Sequence, residues 1–254
     1  MTSRISTVFF DLGYTLINFH GNVPRVLQRS YLVLADSLIR SGYELKRKPF
    51  SDLYRQIINR YYQQREVDHI EQPVSLFVNR ALAGFGFPPA SPEIARHAIA
   101  AMFSVTEAHW RLEKDTHASL SILKNKGYRM CIISNASNTE DLNNLVDNAD
   151  LRKYFDRLII SSETGIRKPD GRIYEMALNA MSAVPAESVM VGDTLGADIH
   201  GAQCSGLRAI WITRRAKRPE NTRMRKSVIP DAEISRLSQL PEIIEKLQNK
   251  PPVF

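Results

Sequence analysis

Apolar positions along the chain follow two periods. Short blocks of consecutive β-formers recur: one ends at Phe10 (Ile5, Val8, Phe9, Phe10), then come Arg129–Ser134 (RMCIIS), Leu158–Ser161, Ser188–Gly192 (SVMVG) and Leu207–Thr213 (LRAIWIT). Blocks this short, bounded by polar residues and glycines, predict buried strands. Elsewhere apolar residues return at helical spacing. Val23–Arg40 does so through Val26, Leu27, Leu34, Leu38 and Ile39, and Gly42 stops it. Phe50–Tyr62 (Leu53, Ile57, Ile58, Tyr61) and Val74–Leu82 repeat the pattern. Beyond the loop Gly84–Pro92, Ser91–Pro92 reads as an N-cap with proline in the first turn of a helix that runs towards Trp110. Further helices are expected over Thr116–Asn125, Thr139–Val146, Gly171–Met181, Gly196–Cys204 and Leu240–Gln248.

Strands alternating with helices predict an α/β fold whose parallel sheet is covered on both faces. The spacing is regular except once. A βαβ unit takes about 30 residues, yet roughly 115 separate the first strand from the second. The excess predicts an inserted α-helical cap over 17–113, within a core made of 1–16 and 114–254. The insertion leaves the core just beyond Asp11, where a helical cap would close over a site at the strand ends.

Ligands of open α/β sheets bind beyond the carboxyl ends of the strands. The first strand leads into Asp11 and Thr15, and the second into Ser134 and Asn135. The third leads towards Lys168 in Gly165–Asp170 (GIRKPD), and the fourth into Asp193 and Asp198 (GDTLGAD). Each residue alone has an ordinary use, as a turn aspartate, a helix cap, a surface lysine or a charge on a helix face. Together they suit phosphoryl transfer. Carboxylates hold magnesium, a lysine and a small hydroxyl bind phosphoryl oxygens, and an aspartate can be phosphorylated transiently.

This pattern resembles the haloacid dehalogenase-like hydrolase superfamily. Asp11–Leu16, Ser134–Asn135, Arg167–Asp170 and Gly192–Asp198 stand in the order and approximate spacing of that family's four motifs. The resemblance spans nearly the whole chain and implies a Rossmann-like core with a helical cap. It implies Asp11 as nucleophile, with Thr15 and Ser134 positioning nucleophile and phosphate. Ser134, Asn135 and Lys168 would bind the substrate, and Lys168 would also stabilise the charge of the intermediate. Asp11, Asp193 and the Gly13 carbonyl would ligate Mg2+, with Asp198 supporting the metal site.

One residue departs from the family. Its phosphatases usually carry a second aspartate two positions after the nucleophile, which protonates the leaving alcohol and then activates water. This chain has Gly13 there, followed by Tyr14. Loss of a positioned general acid typically costs a factor of about 10²–10⁴. Tyr14 and His20 are the nearby groups able to donate a proton; their ordinary uses are packing and a solvated loop.

The resemblance implies a magnesium-dependent hydrolase of a small phosphorylated metabolite. Gly13 leaves three alternatives open. One is a non-catalytic homologue that binds a phosphorylated ligand or a protein. Another is a 2-haloacid dehalogenase, whose halide leaves without a proton but which has no use for the acidic residues of motif four. The third is a phosphonate hydrolase using Lys46 or Lys48 as a Schiff base.

Composition changes this picture little. Most of the net charge of +7 lies in Arg214–Lys226, where seven basic residues face Glu220 alone. Without interleaved aromatics that segment reads as a solvated loop rather than a nucleic-acid patch. No apolar run approaches the ~18 residues of a membrane span. The start MTSRIST has no leader pattern, and Cys131 and Cys204 have no metal-binding spacing. A reducing, cytoplasmic setting is therefore expected.

Overall fold

The computed structural model describes residues 4–248; Met1–Ser3, part of the start read as leaderless, lie outside the described residues. The first apolar block forms strand β1, Thr7–Phe10, with every residue buried. A short strand β2, Ile17–Phe19, follows. Four helices come next: α1 Val23–Arg40, α2 Arg47–Asp68, α3 Val74–Ala83 and α4 Pro92–Glu107. Strand β3, Trp110–Leu112, pairs with β2 in a two-stranded sheet. The chain then alternates: α5 Thr116–Asn125, β4 Arg129–Ser134, α6 Thr139–Asn148, β5 Arg157–Ile160, α7 Ser161–Thr164 and α8 Gly171–Ala180. It ends with β6 Ser188–Gly192, α9 Gly201–Cys204, β7 Arg208–Ile212, α10 Pro219–Met224, β8 Ala232–Ile234 and α11 Leu240–Gln248.

The main sheet has six strands in the order β5-β4-β1-β6-β7-β8, every neighbouring pair parallel. An α/β fold with a parallel sheet is thus present. Its central strands read as continuous apolar runs because both faces are covered. Phe9, Cys131, Met190 and Trp211 from four of them share one buried cluster with Ile173 and Tyr174 of α8. The register aligns the strand ends: Phe10 lies beside Ile132 on one side and Val191 on the other. Asp11, Ser134 and Asp193 therefore leave the sheet close to one line.

The chain divides into two compact units. One comprises the residues up to Asn18, Arg111–Asn135 and those from Val146 onward; the other comprises Phe19–Trp110 and Ala136–Leu145. In the helical unit α1 packs against α4 and α2 around Leu34, Leu38, Phe50, Tyr54, Phe77 and Ile99. Tyr54, Ile58 and Tyr61 of α2 lie in this core. The Ser91 cap read from sequence forms, its Oγ accepting from Ile94 N at 3.3 Å; at α1, Asn22 Oδ1 accepts from Arg25 N at 3.0 Å.

Several elements differ from the sequence reading. Residues 136–145, assigned there to the core, group with the helical unit. Within it Asn144 Nδ2 donates to Glu107 Oε1 at 3.1 Å, and Glu140 stands 4.0 Å from Arg96. Strands β2, β3 and β8 are three residues each, too short to show an alternating period. The expected helix over Gly196–Cys204 is a π-helical turn, Leu195–His200, running into α9. Arg214–Lys226, read as a solvated loop, instead contains α10 and pairs much of its charge. Arg214 meets Glu113 and Asp115 at 3.0 and 3.3 Å, and Arg225 meets Glu233 at 2.6 Å. No helix among the described residues is long and apolar enough to cross a membrane.

Candidate active site

Asp11 follows β1 directly and its backbone N–H donates to Val191 O at 2.9 Å, a bond that continues the sheet ladder by one step. The turn beyond it is tight. Leu12 O accepts from the N–H groups of Leu16 and Ile17 at 2.9 and 3.2 Å. That turn folds Thr15 back so that its Oγ1 donates to Asp11 Oδ2 at 3.0 Å. The other carboxylate oxygen, Oδ1, accepts from Lys168 Nζ at 2.9 Å.

Lys168 is 2% exposed, and its ammonium finds three acceptors: Asp11 Oδ1, Ile133 O at 2.7 Å and Asp198 Oδ1 at 2.7 Å. Three donors against three acceptors satisfy it completely. Asn135 holds its backbone, donating to Lys168 O at 2.9 Å and accepting from Lys168 N at 2.8 Å. The Asn135 amide, expected to bind substrate, is thus committed to placing Lys168. Ser134, also expected there, is buried at the end of β4, one residue beyond the carbonyl that Lys168 grips.

Asp193 precedes the π-helical turn after β6, and Asp198 lies within it. Thr194 N donates to Asp198 Oδ2 at 2.9 Å, so both oxygens of Asp198 are engaged. Gly192 is required by this approach, because a Cβ there would lie 2.3 Å from Asp198 Cβ and Cγ. Asp193 is anchored through its backbone: its carbonyl accepts from Trp211 Nε1 and from Asn221 Nδ2, each at 2.9 Å. Its side chain is freer. Oδ1 accepts from Thr194 Oγ1 at 3.3 Å, while Oδ2 is buried with no hydrogen-bond partner.

Oxygens of Asp11, Asp193 and Asp198 lie within 4.8 Å of one another. Three buried carboxylates face one lysine, and the imbalance is visible in the acidities of Asp11 and Asp193. Burial pushes the Asp11 carboxyl up to about 6, Asp198 adds to the rise, and Lys168 opposes it. Burial, then Asp11 and Asp198, push Asp193 up to about 8 against the pull of Arg218 and Arg215. Burial disfavours the Lys168 charge, but Asp11 and Asp198 outweigh it and hold the ammonium above its usual range. A cation is what such a cluster lacks. The unpartnered Asp193 Oδ2 and the all-oxygen donor set fit a hard divalent ion.

Sequence reasoning missed Trp211, Asn221, Arg215 and Arg218, which lie outside the four motifs. Asn221 is fully buried and bonds Asp193 O, Leu195 N at 2.8 Å and Arg215 O at 3.1 Å. Arg215 and Arg218 stack on Tyr14, their Cζ atoms 3.3 and 4.2 Å from the ring centroid. Of the other expected groups, His20 belongs to the helical unit and is exposed, its N–H donating to His109 O at 2.8 Å. Lys46 and Lys48 are exposed at the start of α2, where Lys48 pairs with Asp52 at 2.9 Å.

Comparison with known proteins agrees with this geometry. The haloacid dehalogenase-like hydrolase family matches residues 5–206. The chain belongs to that family and is an α/β enzyme of the hydrolase class. It is 28% identical to a glyceraldehyde 3-phosphate phosphatase of Methanothermobacter thermautotrophicus over 94% of this chain and 100% of the relative. A phosphoserine phosphatase of Thermus thermophilus is 35% identical over 52% of this chain and 51% of its own length. Among solved structures, a 2-haloacid dehalogenase from Pseudomonas syringae pv. tomato DC3000 superposes with a TM-score of 0.66. Its identity is 26%, covering 95% of this chain and 99% of that one.

Proposed function

We propose that the protein is a magnesium-dependent phosphatase that hydrolyses a small phosphate monoester through a phosphoryl-aspartate on Asp11. The observation that carries this reading is the acidic cluster itself. Asp11, Asp193 and Asp198 converge on one point, and Asp193 offers a buried oxygen with no partner. A dehalogenase has no use for such a cluster, which would repel an anionic haloacid. Relatives named as phosphatases support the same reaction class.

In this reading Asp11 attacks phosphorus and the bond to the ester oxygen breaks. The oxygen departs with its electron pair and takes a proton from solvent, since Gly13 has no side chain to supply one. Water then attacks the phosphoryl-aspartate, releasing inorganic phosphate and restoring Asp11. Thr15 and Lys168 hold the two Asp11 oxygens and fix the attacking direction. Lys168 also offsets the negative charge that builds up beside it. Ser134 stands ready for a phosphoryl oxygen. Asp11, Asp193 and the Gly13 carbonyl would hold Mg2+, with Asp198 positioning Lys168 and Thr194 around them. The ion would supply Lewis-acid stabilisation of phosphoryl oxygen charge.

The test is hydrolysis of p-nitrophenyl phosphate with and without Mg2+ by wild type and Asp11→Asn. This leaving group scarcely needs an acid. Metal-dependent turnover that vanishes in Asp11→Asn supports the proposal. No turnover by wild type at high enzyme concentration, with release of halide from a 2-haloacid, would replace it.

A further inference from the structure

Outside the acidic cluster, the least expected arrangement in the sheet-bearing unit is the stack on Tyr14. Tyr14 lies three residues beyond Asp11 and has a left-handed backbone, φ 66°, which a bulky residue adopts at a cost. Its N–H donates to Ile17 O at 2.5 Å, closing the turn. Two guanidiniums share its ring. Arg215 is half-buried, and among the described residues it forms no ion pair; its guanidinium hydrogen-bonds the neutral amide of Asn18 and the Tyr14 side chain. Arg218 pairs with the partly exposed Glu220 at 3.4 Å. Two like charges held against one ring repel each other, an arrangement that a further anion would relieve.

The pair is also tied to the active site. Asn221 Nδ2 donates both to Asp193 O at 2.9 Å and to Arg215 O at 3.1 Å, so one buried amide sets the spacing between them. A phosphoryl group bound at Asp11 would already face Lys168 and a divalent ion. The two arginines remain available for a different group.

We propose that Arg215 and Arg218, stacked on Tyr14, form a second anion-binding subsite, and that the substrate is a phosphate monoester bearing a further anionic group such as a carboxylate. This rests on the phosphatase proposal for the same site. Guanidiniums suit a carboxylate because their planar donors match its two oxygens.

The test uses Asp11→Asn protein with Mg2+, which binds without turning over, and isothermal titration of two matched phosphates. Phosphoglycolate carries a carboxylate where 2-hydroxyethyl phosphate carries a hydroxymethyl group. Phosphoglycolate should bind about tenfold tighter or better, the usual worth of a charge-assisted contact. Adding Arg215→Gln or Arg218→Gln should bring the ratio towards one, with thermal midpoints recorded to show that each variant is folded. Equal binding of the two phosphates before the arginine changes overturns the subsite. A parallel loss of both phosphates in the arginine variants also overturns it, because the guanidiniums would then hold the phosphoryl group itself. Binding of neither phosphate overturns the phosphatase reading and the subsite together.

Discussion

Lys168 Nζ stands 2.9 Å from Asp11 Oδ1 and is the hub on which the candidate nucleophile depends. The same ammonium reaches Asp198 at 2.7 Å, so one buried cation restrains two buried carboxylates. Removing one partner of such a pair is costly because the other charge stays buried without compensation, typically by about 3–5 kcal/mol. Lys168→Met is therefore expected to lose turnover. In a chain of this size it should also lower the thermal midpoint by roughly 10 °C at neutral pH. The stability deficit should narrow at pH 5, where freed carboxylates take up protons. A Lys168→Met protein as stable as wild type at pH 7.5, by urea denaturation, would contradict the hub role.

Asp193 and Asp11 give a pH dependence whose sign is opposite to that of an ordinary ion-paired carboxylate. Their folded values, about 8 and about 6, lie above the usual 3.8. The folded protein therefore binds more protons than the unfolded chain between pH 4 and 8, and stability falls as pH rises through that window. Each such proton contributes up to about 1.4 kcal/mol per pH unit. Mg2+ competes with these protons, so it should raise the thermal midpoint more at pH 8 than at pH 5.5. Asp141 has a similar slope of separate origin, its carboxyl pushed up to about 8 by burial and by Glu107. Asp141→Asn should flatten that part while leaving the Mg2+ effect in place. Thermal scans across pH with magnesium or a chelator read both contributions.

The parts of this site that are legible in the sequence are those that a parallel sheet aligns. Asp11 and Asp193 directly follow apolar strands and Ser134 ends one, and the strand register brings them together, so finding the strands is enough. Lys168 follows from its motif, but its three bonds do not. The role of Asn135 differs from the expected one because an amide can serve a ligand or a backbone equally well, and only the fold shows which. Arg215, Arg218 and Asn221 are out of reach for a different reason. Their partners, Tyr14 and Asp193, are distant in sequence, and a run of basic residues has no period to reveal a partner.

Gly192 offers a local test of the acidic cluster. A Cβ at this position would be 2.3 Å from Asp198 Cβ and Cγ, and Asp198 is held from both sides by Lys168 and Thr194. It has no free direction in which to yield. Gly192→Ala should cost about 1–3 kcal/mol of stability, as overpacking usually does, and should weaken stabilisation by Mg2+. Gly171→Ala is the control: the nearest atom to its Cβ is Ser205 Oγ at 3.6 Å, an ordinary contact. Its stability and magnesium response should match wild type. Equal behaviour of the two variants would mean that the cluster is softer than its geometry implies.

On the phosphatase proposal, Gly13 should set which esters the enzyme can cleave. With no acid at this position, departure of the alcohol depends on its own leaving ability, so aryl phosphates should be turned over far faster than alkyl phosphates. A positioned general acid is worth about 10²–10⁴. Gly13→Asp should therefore raise kcat on an alkyl phosphate by tenfold or more while changing p-nitrophenyl phosphate turnover little. The added carboxyl also brings a fourth acidic group near Asp11, so its effect is best read as the ratio between the two substrates. A ratio unmoved by Gly13→Asp, in protein that still requires Mg2+ and Asp11, would show that another group already protonates the leaving oxygen. Tyr14→Phe, measured on the same pair of substrates, then identifies or eliminates the phenol as that group: loss of alkyl phosphate turnover alone assigns the proton to Tyr14.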